Sequence, residues 1–213
     1  MSGKELTGMS KTARTAEDSV PAGIAVPTLH HVNLKTARLG EMMAWYGLVV
    51  GMRPTYAFEG GAWLSNDSAN HRLALLSTPL VRDDPDKLVH AGIHHTAFEY
   101  GTLDELLGTY VRLEEAGVLP HSVLDHGMTL SFYYVDPDGN SVELQVDHFG
   151  DWAGSTEFMH GERFAENPIG TYVDPEQLVA AWQMGISAAE LHRRAYDGEF
   201  APAEPQDLRV PFA

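Results

Sequence analysis

Two pairs of adjacent histidines lie in short apolar stretches of this 213-residue chain, in "LHHVNL" at 29–34 and in "GIHHTAFEY" at 92–100. Histidine suits the interior of a strand poorly, because a buried imidazole must find a partner for each ring nitrogen. Alternate side chains of a strand share a face, so one histidine of each pair, His31 or His95, points away from the apolar residues beside it. The repeated pair therefore indicates chemistry rather than packing.

A glutamate on a third predicted strand completes a candidate metal site. In "SVELQV" at 141–146 the apolar residues alternate with polar ones, so Glu143 lies on the face away from the apolar packing. Two imidazoles and a carboxylate that converge on one point, here His31, His95 and Glu143, are the ligand set of non-haem Fe(II) oxygenases, with three positions left open. The chain has no cysteine, which excludes thiolate zinc sites, disulfides and cysteine nucleophiles.

The hydrophobic pattern predicts the elements that carry these side chains, and the same order occurs twice. A strand at 28–34 is followed by a segment with helical spacing around Tyr46 and by strand-like pieces near 53–58, 61–66 and 71–77. The second set has a strand at 92–99, a helix behind Thr102 and Glu105 at capping-box spacing, and strands near 120–124, 128–135 and 140–147. The turn "DPDGN" joins the last two strands and lacks the ligand spacing of an EF-hand.

The repeat predicts an α+β fold in which two βαβββ modules form one half-open barrel, because each module alone leaves an apolar sheet face uncovered. We expect an N-terminal arm at 1–26 and a catalytic domain at 27–148, with modules at 27–79 and 91–148. A C-terminal extension at 149–213 should pack on that domain as helical and extended segments. Its helical periodicity, behind a proline in the first turn, predicts one helix at 176–194.

Charge and hydropathy narrow the classes of partner. The 14 Lys and Arg residues against 30 Asp and Glu residues give a net charge of −16, which repels nucleic acids and anionic membrane surfaces. No apolar run approaches the ~20 residues of a membrane span, and the N-terminus lacks the apolar core of a signal peptide. Together with the absence of cysteine, this predicts a cytoplasmic protein with a small-molecule substrate. We also expect a homo-oligomer.

The paired modules resemble a known superfamily. "HHVNL" ahead of "WYG" in the first module, and "HHTAF" leading to "DPDGNSVEL" in the second, are similar to the vicinal oxygen chelate superfamily. Within it, residues 27–148 resemble type I extradiol ring-cleaving dioxygenases in their short, single-pair form. The resemblance implies a catechol-type substrate, O2 as co-substrate and a catalytic Fe(II), with Mn(II) as the alternative ion.

The resemblance also implies roles for particular residues. The metal ligands match His31, His95 and Glu143. The oxygen-side histidine that acts as acid or base matches His71, while the residues that hydrogen-bond the substrate hydroxyl match Tyr133 and His126. Four-ligand relatives carry Glu or Gln on the last strand of the first module, where this chain has Ala74, so the comparison favours three ligands.

Other readings of the same residues stay open. A metal-dependent isomerase or transferase of the superfamily would share the three ligands, a non-catalytic binding protein would need no metal, and a structural protein would fill the pocket with side chains. A lone strand histidine is most simply a core residue, Tyr133 could be a core aromatic, and His126 could lie at the surface. We interpret His30 and His94, on the faces opposite the ligands, as structural.

Overall fold

The computed structural model describes residues 23–210, so the predicted N-terminal arm lies outside the described residues over positions 1–22. The chain divides into two compact units, Met1–His30 and His31–Ala213. All the helices and strands described below belong to the second unit. Among the described helices, none is long and apolar enough to cross a membrane.

The second unit is α+β and contains the repeated βαβββ order that the sequence predicts. The first module consists of β1 (Val32–Thr36), α1 (Leu39–Val50), β2 (Arg53–Phe58), β3 (Gly61–Ser65) and β4 (Leu73–Ser77). The second consists of β5 (His95–Tyr100), α2 (Leu103–Glu115), β6 (Ser122–Asp125), β7 (Thr129–Val135) and β8 (Ser141–Asp147). The strands form two open sheets with the orders β1-β4-β3-β2 and β5-β8-β7-β6-β9, where β9 (Thr171–Tyr172) comes from the C-terminal extension. In each module the first strand runs parallel to the last.

Local signals fix the helix ends. α1 stops at Gly51, which adopts the left-handed conformation (φ 71°) that glycine tolerates best. The predicted capping box of α2 is confirmed: the Thr102 side chain accepts from the Glu105 amide at 3.2 Å, and the Glu105 carboxylate accepts from the Thr102 amide at 3.0 Å. Buried side chains of both helices join a single hydrophobic core with both sheets.

Polar bonds tie the first module to the turn between β7 and β8. The Tyr46 hydroxyl of α1 donates to Asp136 at 3.2 Å, and the Arg38 guanidinium contacts Asp138 at 2.7 Å. Asp136 also accepts from the amides of Asp138 at 3.0 Å and Asn140 at 2.8 Å, so "DPDGN" is the tight turn expected from the sequence. This turn sets the register in which β7 pairs with β8.

The C-terminal extension is more broken than the sequence pattern suggests. It contains α3 (Trp152–Met159), α4 (Glu162–Glu166), β9 (Thr171–Tyr172), α5 (Pro175–Gln183) and α6 (Ala188–Tyr196). The prediction of one helix at 176–194 is wrong, because Gly185 adopts φ 82° and Ser187 caps a new helix by accepting from the Glu190 amide. The spacing of apolar residues continues from α5 into α6, so periodicity alone does not reveal the break between the two helices.

Candidate metal and catalytic site

The two modules share one ladder register, which makes their positions comparable residue by residue. Asn33 on β1 pairs with Ala74 on β4, and Ala97 on β5 pairs with Glu143 on β8. Ala74 and Glu143 therefore occupy equivalent positions, as the sequence alignment predicted. The carboxylate that the second module presents has only a methyl group as its counterpart in the first.

His31 and His95 are also equivalent, because His31 lies two residues before Asn33 and His95 lies two residues before Ala97. His95 opens β5, whereas the predicted strand at 28–34 is observed at Val32–Thr36, so that His31 lies immediately before β1. The Nε2 atom of His95 lies 3.0 Å from Oε2 of Glu143. The structure thus joins two of the three predicted ligands.

Glu143 is buried, with 4% of its surface exposed. Burial raises the pKa of its carboxyl group, but hydrogen bonds from His95 and Ser131, together with the nearby imidazoles, outweigh that effect and leave the pKa below its ordinary value. The side chain is therefore an ionised carboxylate at neutral pH. An ionised oxygen is the form that coordinates a divalent cation.

A hydrogen-bonded chain leads away from the other oxygen of Glu143. The Tyr133 hydroxyl donates to Oε1 at 3.0 Å, and Nε2 of His126 lies 2.9 Å from the same hydroxyl. Nδ1 of His126 donates to the Ile169 carbonyl at 2.5 Å, since a carbonyl can only accept. A neutral His126 then has a lone pair on Nε2, and the single hydroxyl proton of Tyr133 is shared between an imidazole and a carboxylate.

His94 contacts the ring nitrogen of His95 that points away from Glu143. Its Nδ1 lies 2.7 Å from Nδ1 of His95, and its Nε2 donates to the Leu208 carbonyl at 2.9 Å. Sequence reasoning did not find these contacts, because Leu208 lies 114 positions from His94; the interpretation of His94 as structural stays a prediction. His121 was also missed: its ring lies 6.0 Å from that of Tyr133 and bonds the Asp207 carbonyl.

His31 and His71 lie together on the first module. Their rings are 4.4 Å apart, centroid to centroid, at an interplanar angle of 51°. Over residues 23–210, no set of ligand atoms all within 4.8 Å of one another unites His31 with His95 and Glu143. The three-residue ligand set stays a prediction, as do the roles of the other site residues.

Comparisons with known proteins decide the family. The sequence pattern of the "Glyoxalase/Bleomycin resistance protein/Dioxygenase superfamily" matches residues 28–144. The chain belongs to this superfamily. The expected membership of the vicinal oxygen chelate group is thereby confirmed.

Two curated relatives match this chain along nearly their whole length. Biphenyl-2,3-diol 1,2-dioxygenase 2 of Rhodococcus globerulus is 36% identical over 86% of this chain and 96% of its own length. Biphenyl-2,3-diol 1,2-dioxygenase 3 of the same organism is 38% identical over 80% of this chain and 90% of its own. A solved lactoylglutathione lyase from Agrobacterium tumefaciens is 20% identical over 59% of this chain and 94% of its own, with a TM-score of 0.44. The family assignment rests on the sequence matches.

Proposed function

We propose that this chain is a metal-dependent extradiol dioxygenase, which opens the aromatic ring of a catechol-type substrate with O2. The observation that carries the proposal is the continuous set of hydrogen bonds from His95 through Glu143 and Tyr133 to His126, on one sheet of a chain whose curated relatives are ring-diol dioxygenases. It combines an ionised ligand with groups that can hold and move a substrate proton.

The hydrogen count around His95 fits a bound cation. Three contacts here each need one hydrogen: His94 to the Leu208 carbonyl, His94 to His95, and His95 to Glu143. Two neutral imidazoles supply only two hydrogens. If His95 and Glu143 held the proposed ion, Nε2 of His95 would need no hydrogen, and two hydrogens would suffice for the two remaining contacts. His94 then acts as the outer hydrogen-bond partner that orients a metal-binding histidine.

The ion we propose is Fe(II), with Mn(II) as the alternative, held by His31, His95 and Glu143. When bound, it supplies Lewis acidity and a path for electrons between the diol and O2. With only three protein ligands, the ion would be able to take a diol and O2 as its further ligands.

Tyr133 and His126 are the groups suited to handle the substrate hydroxyl. Burial and the charge of Glu143 raise the pKa of Tyr133, so the phenol stays protonated and can donate a hydrogen bond to a catecholate oxygen. Once the substrate satisfies Tyr133, the lone pair on Nε2 of His126 is free to accept the ring-hydroxyl proton. His71, on the other module, takes the role of acid or base toward oxygen.

Aromatic side chains on the first sheet suit a planar apolar ring. Trp63 pairs with Ala74 on one side and with Tyr56 on the other, so these residues share the face that is equivalent to that of Glu143. Tyr56 and Trp63 stack with ring centroids 5.0 Å apart, and Trp63 lies 6.1 Å from His71. Tyr56 keeps 56% of its surface exposed and is therefore open to a ligand.

The proposal is tested by loading the purified protein with Fe(II) without air and then adding catechol, 3-methylcatechol or 2,3-dihydroxybiphenyl with O2. We expect a yellow ring-opened product and stoichiometric O2 uptake from at least one of them. His71→Ala should keep its iron and lose turnover by roughly 10²- to 10⁴-fold. Glu143→Ala should lose the iron itself.

Iron retention without O2 uptake on every substrate would refute ring cleavage and point instead to an isomerase or transferase of the superfamily. Retention of iron by Glu143→Ala would refute the ligand assignment independently of substrate choice. Cytoplasmic location and homo-oligomeric assembly stay predictions of the sequence.

A further inference from the structure

A second cluster of ligand-type side chains lies next to His126 but shares no residue with the proposed catalytic set. Asp125 ends β6, His148 follows β8 and His192 lies on α6, so the cluster joins three elements far apart in sequence. Nδ1 of His192 is 2.9 Å and Nε2 of His148 is 3.2 Å from the same atom, Oδ2 of Asp125. Asp125 is fully buried. Its other oxygen accepts from the Gly127 amide at 2.8 Å, which fixes the orientation of the carboxylate.

One member of this cluster is polar, buried and unsatisfied. The His148 side chain is 9% exposed, and its Nε2 has no hydrogen-bond partner among residues 23–210, since the contact to Asp125 does not have hydrogen-bond geometry. A buried nitrogen whose contact lacks hydrogen-bond geometry is left partly unsatisfied, which destabilises the folded state. A group that accepts electron density from this nitrogen would remove that destabilisation.

The distances resemble the edges of a coordination polyhedron. Ligand atoms around a tetrahedral zinc ion lie roughly 3.3 Å apart when the metal bonds are about 2.0–2.1 Å long. The two nitrogen–oxygen distances of the cluster fall close to that value. The imidazole rings stack with centroids 3.7 Å apart and planes at 27°, so they must splay somewhat to direct both lone pairs at one ion.

We propose that Asp125, His148 and His192 form a second metal site, specific for a borderline divalent cation such as Zn²⁺. Two nitrogen ligands and one carboxylate suit zinc better than Mg²⁺ or Ca²⁺, which prefer oxygen ligands. Both histidines line a cleft of about 440 Å³, through which an ion and a water ligand can enter. The site fastens α6 to the end of β6, directly beside His126.

The test uses Zn²⁺ alone, measured by equilibrium dialysis and elemental analysis on the full chain after chelator treatment. In a His95→Ala, Glu143→Ala background, which removes two ligands of the proposed catalytic ion, we expect one zinc per chain. Adding His192→Ala should weaken that binding by roughly 100-fold, the upper end of the loss seen for partners that only orient a ligand. His160→Ala, at the exposed end of α3, is the matched control and should bind as its parent does.

The single variants His148→Ala and His192→Ala in the otherwise wild-type chain give an independent measurement if the background variant fails to fold. Each should lower the zinc capacity by one equivalent and remove the zinc-induced rise in the thermal unfolding midpoint. Unchanged zinc capacity in both variants overturns the proposal and leaves the cluster as a hydrogen-bonded support for α6. Because the readout is zinc rather than ring cleavage, failure of the proposed function would not affect this result.

Discussion

Tyr133 offers the sharpest test of the proposed proton path, because removing one oxygen atom breaks two contacts and leaves the ring in place. Tyr133→Phe deletes the bonds to Glu143 at 3.0 Å and to His126 at 2.9 Å. A hydrogen bond to a charged group contributes about 1.5–3 kcal/mol, so we expect a loss of about 2 kcal/mol in the free energy of unfolding. For a chain of this size that corresponds to a fall in Tm of roughly 4–8 °C.

The catalytic effect should exceed the effect on stability. With the hydroxyl gone, His126 no longer has a protein partner on Nε2 and the substrate hydroxyl loses a donor, so kcat should fall about 100-fold while iron content stays the same. The assay is ring-cleavage absorbance together with iron analysis on the same sample. Tyr134→Phe is the matched control, because that side chain lies on the opposite face of β7 in the hydrophobic core.

Two results would refute this reasoning. If Tyr133→Phe retained wild-type turnover, Tyr133 and His126 would have no part in proton transfer. If Tyr134→Phe lowered turnover as much as Tyr133→Phe, the effect would come from loosened packing of β7 and not from the lost hydroxyl.

Two further predictions concern residues that position the site. Gly170→Ala should lower the free energy of unfolding in denaturant by about 2–3 kcal/mol, because φ is +97° and an added Cβ would lie 2.3 Å from the Asp125 carbonyl oxygen. Gly185→Ala is the control: φ is +82° but the space around it is open, so the loss should be only about 1 kcal/mol. Equal losses would show that the close approach is relieved by a shift. His94→Phe should speed the loss of iron to a chelator by roughly 10- to 100-fold, because His95 loses its outer partner. An unchanged rate would mean that His94 does not orient the ligand.

The sequence predicted the βαβββ repeat and the faces of its strands, because these depend on local periodicity. The capping box of α2 and the turn after β7 are likewise encoded within a few residues, and the structure confirms both. Alternation within β8 was enough to place Glu143 on its polar face. Periodicity does not show which backbone carbonyls from a distant segment will lie next to a histidine.

The residues that sequence reasoning missed share this dependence on distant backbone. His94 and His121 bond the carbonyls of Leu208 and Asp207, in a C-terminal segment without regular structure. Gln206 in the same segment bonds the Val123 amide at 2.6 Å. Neither spacing nor composition marks such contacts in advance. The sequence pattern did not predict the break between α5 and α6, because the apolar spacing continues across it.

The shared register explains how a repeated fold produces an asymmetric site. The row across the second sheet carries Glu143 beside Tyr133, and the equivalent row across the first carries Ala74 beside Trp63. In the proposed site the second module would therefore supply charge and a transferable proton, while the first would supply aromatic surface. A catechol has the same division, with two polar oxygens on one edge and an apolar ring on the other. In the proposed site, exchanging the two pairs of residues between the sheets would move the diol-binding end from the second module to the first.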